Sequence, residues 1–274
     1  MRRILAMLTL LIMMISLSCA EEPSDVKINI DTANASDGYI TVIRPDTEKE
    51  LSVEVSCNGR SAIYPLDRDS VVLPLQFGDG EYTVTLYEIK QHMKEDWWDS
   101  SPENEYLQID CTVITAETTD VWSYCRHPNR YVDYNAESPW VQMAERLVGS
   151  DMSQLDRFNA ITEYIVQNFS FDFVKMVSIS DYETRIPDPE FCWETKYGIA
   201  QDLSSVACAM LRSQGIPAML VYGYIGENTP HAWVIALVDD NIVFFDPTAR
   251  LDATNKSAMI LDIITSDLKV KMTY

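Results

Sequence analysis

The period of the hydrophobic pattern changes at about residue 115, and this change limits what the chain can fold into. Before it, apolar and polar residues alternate in short runs separated by turns, which is typical of half-buried β-strands. After it, apolar residues first recur at helical spacing and then return to strand-like runs. The sequence therefore predicts an α+β protein, with a β-sandwich over residues 24–115 and a second, α+β domain with an antiparallel sheet over residues 116–274.

The clearest local signal in the first part is Asn58-Gly59, which favours a two-residue hairpin turn because both central residues must take positive φ. Such a turn predicts these cross-strand partners: Val55 with Ala62, Val53 with Tyr64, and Leu51 with Leu66. A later strand is predicted with the following apolar residues on one face: Leu107, Ile109, Cys111 and Val113. Between the strands lies an acidic insert with Trp97-Trp98, interpreted as a loop that packs on the sheet, with a binding knob as the alternative.

In the second part, helices are predicted over 139–148, over a stretch starting near residue 153, and from about Ala200. The second helix has an apolar face and two candidate capping residues: Leu155, Phe158, Ile161, Ile165, and Ser150 or Ser153. The third has a longer apolar face and a Gly-Ile-Pro end: Leu203, Val206, Ala207, Met210, Leu211, and Gly215-Ile216-Pro217. Strands follow over 216–224, 232–238 and 242–245.

Three of these elements begin or end at residues that could act together in one catalytic site. A helix that begins at Ala200 presents unpaired N–H groups and a positive dipole end, which would lower the pKa of a cysteine placed there. His231 opens one strand and Asp246 closes the next. If these strands pair antiparallel, the carboxylate lies beside the imidazole and can orient it as a base. Gly198, before the helix, would let the backbone approach a bound carbonyl.

Four motifs from Lys196 to Thr248 carry a family resemblance: GIAQD, RSQGIPA, HAW and DPT. In this order and spacing they resemble the transglutaminase-like superfamily, in the form found in secreted bacterial members with an N-terminal β-domain. The resemblance implies a papain-like fold and a Cys-His-Asp triad for thiol acyl transfer. It assigns His231 as general base and Asp246 as the residue that orients it. The position of the nucleophilic cysteine is occupied by Ala200.

This departure predicts a catalytically silenced protein that binds a peptide or a cell-wall peptide, because a methyl group cannot attack a carbonyl. The alternative is an active acyltransferase, amidase or peptidase that uses another nucleophile or a water activated by His231. Cys192 and Cys208 are the thiols considered for that role. A third possibility is a structural protein in which the β-sandwich mediates adhesion.

Four residues are candidates for lining a substrate groove: Trp193, Tyr197, Gln201 and Trp233. For Trp193 and Tyr197 the alternative is that they cover the helix end. Gln201 and Asp202 are also expected to support the start of the helix, Asp202 through the helix dipole.

The N-terminal stretch MRRILAMLTLLIMMISLSCA has a basic start, a short apolar run and small residues at its end, which predicts a signal peptide over residues 1–20. Cleavage can follow Ala20, or Cys19 can be the lipid-bearing residue of a lipoprotein. Both readings predict an extracellular or cell-surface protein, bound to a membrane only through lipid at Cys19.

The chain has 42 acidic and 21 basic residues, a net charge of −21. Such acidity argues against nucleic acid as a partner, because binding to phosphates requires Lys and Arg. The five cysteines beyond Cys19 are widely spaced without a C-x-x-C pair, so neither a zinc site nor another cofactor is expected.

Overall fold

The computed structural model describes residues 25–93, 102–118, 120–179, 186–227, 229–248 and 268–274. Its strands are β1 (Asn29–Asp31), β2 (Tyr39–Ile43), β3 (Leu51–Cys57), β4 (Arg60–Pro65), β5 (Ser70–Pro74), β6 (Gly80–Met93), β7 (Pro102–Ala116), β8 (Ser170–Phe171), β9 (Tyr197–Gly198), β10 (Ala218–Ile225), β11 (Thr229–Val238), β12 (Asn241–Phe245) and β13 (Leu268–Thr273). Its α-helices are α1 (Pro139–Leu147), α2 (Gln154–Asn168), α3 (Phe173–Ser178), α4 (Pro189–Thr195) and α5 (Ala200–Ser213). The predicted α+β class is confirmed. The predicted signal peptide, Cys19 and Trp97-Trp98 lie outside the described residues.

The first part of the chain forms two antiparallel sheets with the strand orders β1-β2-β5 and β4-β3-β6-β7. Both sheets contribute fully buried residues to one cluster: Ile40, Val42, Leu73, Val53, Val55, Val84 and Leu86. The predicted hairpin register is confirmed, since β3 and β4 pair as expected and the Leu66 N–H donates to the Leu51 carbonyl at 2.9 Å. Asn58 and Gly59 have φ values of 52° and 71°, as the turn requires.

The prediction that the apolar residues of β7 share one face was wrong. Cys111 and Val113 are exposed, Val113 by 59%. The pairing places Thr112 opposite the core-facing Val84, so the neighbours of Thr112 point to the other side. The register between β6 and β7 also shifts at Leu86, which interrupts the alternation that the sequence suggests.

Helix α2 begins as predicted, with the Ser153 hydroxyl accepting the Asp156 N–H at 3.1 Å. Phe158 and Ile161 are buried, whereas Leu155 is 47% exposed, contrary to its predicted place on the same face. At 3.6 residues per turn, Leu155 lies at the margin of the arc formed by the buried residues. The apolar face of α2 is therefore narrower than the sequence pattern indicates.

The second part is organised around helix α5, whose residues from Ala200 to Arg212 are all buried. An antiparallel sheet with the order β12-β11-β10-β13 packs on it, together with α1, α2 and α4. A helix surrounded in this way needs small or apolar residues on most sides, and its buried polar side chains need partners inside the protein. Ser204, Ser205 and Arg212 donate hydrogen bonds to backbone carbonyls. Burial of α5 fixes the position of its N-terminus relative to strand β11.

The sandwich and the second part share one continuous buried cluster. At their contact the rings of Tyr131 and Tyr274 stack at 3.9 Å, and Tyr64 lies edge-on to both. Ion pairs cross the same contact: Arg130 with Asp67 at 2.6 Å, and Arg68 with Asp133. The division into two domains near residue 115 stays a prediction.

Candidate active site

The N-terminus of helix α5 lies against the strand that carries His231. Ala200 is the first residue of the helix and is 3% exposed. One turn later, the Ser204 hydroxyl donates to the carbonyl of Ala232 at 3.3 Å. This contact holds the second turn of the helix against the residue that follows His231. Position 200 and the imidazole therefore belong to neighbouring, packed elements.

His231 and Asp246 form the hydrogen-bonded pair that the sequence predicts. Strands β11 and β12 are antiparallel, and His231 Nε2 lies 2.7 Å from Asp246 Oδ2. An ionised carboxylate only accepts hydrogen bonds, so Nε2 is the ring nitrogen that carries the proton in this contact. The lone pair of Nδ1 is then able to accept a proton from another group. The other carboxylate oxygen accepts from the Thr248 N–H at 2.9 Å and its hydroxyl at 2.7 Å. The carboxylate is 7% exposed and is held in one orientation.

Two of the predicted groove residues are interior side chains. Trp233 is 1% exposed, and its ring stacks with the His231 imidazole at a centroid distance of 6.2 Å. Gln201 is fully buried. Trp233 supports the imidazole by packing, and neither side chain lines an open groove.

The other two candidates lie closer to the surface. Tyr197 is 51% exposed and stands three residues before Ala200. Trp193 is partly buried in a cluster of aromatic rings: Trp140, Tyr164 and Phe169. The ammonium of Lys196 lies 3.4 Å from the centroid of the Trp193 ring. Trp193 thus joins α4 to α1 and α2, and Tyr197 is the candidate that remains available to a ligand.

The start of α5 is fixed by a buried ion pair that the sequence analysis did not find. The fully buried carboxylate of Asp202 accepts the Ile199 N–H at 3.1 Å and the Asp188 N–H at 3.0 Å. It also pairs with the Lys175 ammonium at 2.7 Å. The expected favourable interaction of Asp202 with the helix start is therefore made through the Ile199 N–H. In the sequence, the one signal for its partner is a single lysine within the apolar stretch FVKMVS of helix α3.

Gly198 is required by packing inside the protein. A Cβ at this position would lie 2.7 Å from Cys192 Sγ and 3.1 Å from Asp202 Cβ. The missing side chain makes room for Cys192 and Asp202, and the approach of a bound carbonyl to this glycine stays a prediction.

The alternative thiols are poorly suited to nucleophilic attack. Cys192 and Cys208 are both fully inaccessible to solvent. Burial raises the pKa of Cys192 well above its usual value, and the charge of Asp202 raises it further. Burial raises the pKa of Cys208 to about 12 although Arg212 opposes the change. Among the described residues, Asp246 is the hydrogen-bond partner of the His231 side chain, and no thiol bonds to it.

These elements, a helix N-terminus, an oriented base and its orienting carboxylate, are the parts of an acyl-transfer site other than the nucleophile. Residues 141–247 match the family model of the transglutaminase-like superfamily. The match includes Ala200, His231 and Asp246, and the mixed α+β fold is transglutaminase-like. Such a fold suggests a function of the protease or acyltransferase type.

The transglutaminase-like region has a relative in Bacillus subtilis (strain 168), the uncharacterized protein YebA, which is 28% identical over 125 residues. These residues make up 39% of this chain, and the chain spans 17% of the length of YebA. Among solved structures, a candidate cysteine protease from Cytophaga hutchinsonii is 14% identical, with 86% of this chain and 79% of that chain covered and a TM-score of 0.42. A candidate protease from Parabacteroides distasonis is 13% identical, with 78% of this chain and 60% of that chain covered and a TM-score of 0.36. A red sea bream transglutaminase is 12% identical, with 82% of this chain and 49% of that chain covered and a TM-score of 0.30.

Within the described part of the chain, no group of three or more His, Cys, Asp or Glu side chains is arranged to hold a metal ion. In the same residues, no helix is both long and apolar enough to span a membrane.

Proposed function

We propose that this protein is a secreted or lipid-anchored transglutaminase-like protein that is catalytically silenced and binds a peptide, such as a cell-wall peptide, without cleaving it. The observation that carries the proposal is Ala200 at the start of α5, beside a strand that keeps His231 bonded to Asp246. The orienting machinery is retained and the reacting atom is absent.

The methyl group of Ala200 has no lone pair and no acidic proton, so it cannot form the thioester on which thiol acyl transfer depends. Loss of the nucleophile from a triad commonly removes about 10⁶-fold in kcat and leaves weak residual catalysis. The nearest hydroxyls along α5 do not replace it. Ser204 and Ser205 are fully buried and donate to the carbonyls of Ala232 and Tyr131.

Peptide binding is supported by exposed aromatic side chains close to the start of α5. Phe173 is 63% exposed, Phe191 43% and Tyr197 51%. Phe191 lies 5.5 Å from the Lys175 ammonium, which itself pairs with Asp202 in the first turn of α5. Exposed aromatic rings next to the positive end of a helix favour an extended, partly apolar ligand with backbone carbonyls.

The proposed location rests on the basic and apolar N-terminal sequence and on Cys19. Growth with a radiolabelled fatty acid, compared between the natural chain and Cys19→Ser, tests lipid attachment. Label that depends on Cys19 supports an anchor. Export of an unlabelled chain cleaved after Ala20 supports simple secretion, and retention of the full chain in the cytoplasm contradicts both.

The function is tested by restoring the nucleophile. Ala200→Cys is made in a Cys19→Ser, Cys111→Ser background, because Cys111 is an exposed thiol that would itself react with electrophiles. Iodoacetamide labelling and hydrolysis of a peptide amide are measured for this variant, for the unreverted background and for Ala200→Cys with His231→Ala. We expect rapid labelling and turnover only when the restored thiol and His231 are both present, and binding of the same peptide by the unreverted protein.

Two results contradict the proposal. Turnover by the natural protein would show that it is an active enzyme of the same fold with another nucleophile or an activated water. If the natural protein binds none of the peptides that the Ala200→Cys variant cleaves, the site has no binding role.

A further inference from the structure

Strand β10 carries a glycine directly opposite His231. In the antiparallel register of β10 and β11, Gly223 pairs with His231. Its φ lies outside the left-handed region, so the backbone conformation does not itself require glycine. Glycine weakens the interior of a strand and often marks a close approach of other groups. The absence of a side chain at this position therefore needs an explanation from its surroundings.

The explanation is close packing by two neighbours. A Cβ at Gly223 would lie 2.7 Å from Trp233 Cη2 and 2.1 Å from the carbonyl oxygen of Lys269. The second contact comes from β13, whose register with β10 shifts between Tyr222 and Gly223. The six-membered ring of Trp233 thus occupies the space that a side chain at position 223 would fill. Gly223 is what allows the indole to lie there.

The indole held in this way lies beside the imidazole. His231 and Trp233 are two residues apart in β11, so their side chains project from the same face of the sheet. The two ring centroids are 6.2 Å apart and the ring planes differ by 27°. Phe244 is a further neighbour of the indole, at a centroid distance of 6.4 Å. Because Trp233 is 1% exposed and closely packed, it has little freedom to move.

The hydrogen bond to Asp246 leaves one motion of the imidazole open. It joins Nε2 to Asp246 Oδ2 at 2.7 Å and so fixes the position of that nitrogen. The ring can still turn about the axis from Cβ to Nε2, and this turn moves Nδ1. An aromatic surface packed nearly parallel to the imidazole opposes the turn by steric exclusion. The plane of the imidazole therefore depends on where the indole lies.

We propose that Gly223 is a positioning residue for His231. By leaving room for the Trp233 indole, it sets the plane of the imidazole and hence the direction of Nδ1. A methyl group at position 223 displaces the indole, and the imidazole then loses the surface that limits its rotation. This role rests on the proposed function in taking His231 as the retained base of the site, and it adds the element that holds the base in one orientation.

Three variants test this role, each made in the natural protein and in the Ala200→Cys variant. Gly223→Ala adds the methyl group. Trp233→Phe shortens the ring and leaves Gly223 and β13 unchanged, so it decides the question if Gly223→Ala does not fold. Leu220→Ala is the structural control, because Leu220 is fully buried on the same strand and its side chain points to the opposite face. Unfolding in urea gives the loss of stability of each variant.

Two measurements report on the imidazole itself. The ¹³C relaxation of the His231 ring in the natural protein, assigned with His231→Asn, measures how firmly the ring plane is held. The rate and pH midpoint of iodoacetamide alkylation measure the action of the base in the Ala200→Cys variant. We expect Gly223→Ala and Trp233→Phe to increase ring motion and to slow alkylation by about 10- to 100-fold. Leu220→Ala should lose stability but change the alkylation rate by less than about twofold.

Unchanged ring motion and an unchanged alkylation rate in Trp233→Phe and in any folded Gly223→Ala protein would overturn the proposal. Equal effects of Leu220→Ala would also overturn it, because Gly223 would then matter only for stability. If the Ala200→Cys variant neither labels nor turns over, the proposed function fails. The relaxation measurement needs no nucleophile, so in that case it still decides the role of Gly223.

Discussion

His231 and Asp246 are fifteen residues apart in the chain, yet their side chains meet at 2.7 Å beside a helix whose first residue is alanine. The contact uses Nε2, so the unprotonated Nδ1 is the nitrogen that could receive the proton of a nucleophile. Two hydrogen bonds from Thr248 hold the carboxylate in place. The arrangement of base and orienter thus persists in the absence of the atom it would serve.

This arrangement predicts the behaviour of Asp246→Asn in the Ala200→Cys background. The Asn amide can donate to Nε2, which places the ring proton on Nδ1 and blocks acceptance of the thiol proton. We expect turnover to fall by about 10²- to 10⁴-fold and the pH midpoint of alkylation to rise toward the ordinary cysteine pKa of about 8.5. The measurement is the pH dependence of iodoacetamide alkylation. Thr248→Val, which removes one hydrogen bond and keeps the charge, should shift the midpoint much less; equal shifts would refute the role of Asp246.

The thiols of the natural protein should fall into two reactivity classes. Cys111 is exposed, whereas these four are buried: Cys57, Cys125, Cys192 and Cys208. Burial raises the pKa of both Cys125 and Cys208 to about 12, so little thiolate is present at pH 8. In a Cys19→Ser protein, we expect an aromatic disulfide reagent to modify Cys111 within minutes and the buried thiols only after unfolding in guanidinium. Rapid modification of Cys192 in the folded state would show that this thiol is accessible and would make it a candidate nucleophile again.

The ion pair between Lys175 and Asp202 should contribute strongly to stability. Lys175→Met leaves a fully buried carboxylate without its counter-ion, and we expect a loss of about 3 kcal/mol in the free energy of unfolding, measured with urea. Lys27→Met is the control, because Lys27 is 69% exposed in its pair with Asp110 and should matter by at most about 1 kcal/mol. Similar losses for both variants would show that Asp202 is satisfied by backbone N–H groups alone.

Features set by local chemistry could be predicted from the sequence. The Asn58-Gly59 turn determines the register of its hairpin, and the positions of His231 near the start of β11 and of Asp246 after β12 place these residues together once the strands pair. Strand β11 begins at Thr229, two residues earlier than the prediction that His231 opens it. Features that depend on distant packing could not. The partner of Asp202 lies on another helix, 27 residues away, and no periodicity connects them. The outward orientation of Val113 follows from its pairing with β6, which alternation within one strand does not specify.

Gly198 provides the last test, because packing against Cys192 and Asp202 leaves no room for a side chain there. Gly198→Ala places a methyl group 2.7 Å from Cys192 Sγ, and we expect a loss of about 1–3 kcal/mol in unfolding free energy. Cys192→Ala removes that sulfur, so the double variant should be less destabilised than the sum of the two single variants. A double-mutant cycle in urea measures the difference, expected to exceed about 0.5 kcal/mol. Strict additivity would mean that the Cys192 side chain can move aside at no energetic cost. The glycine would then be required for another reason, such as the approach of a ligand.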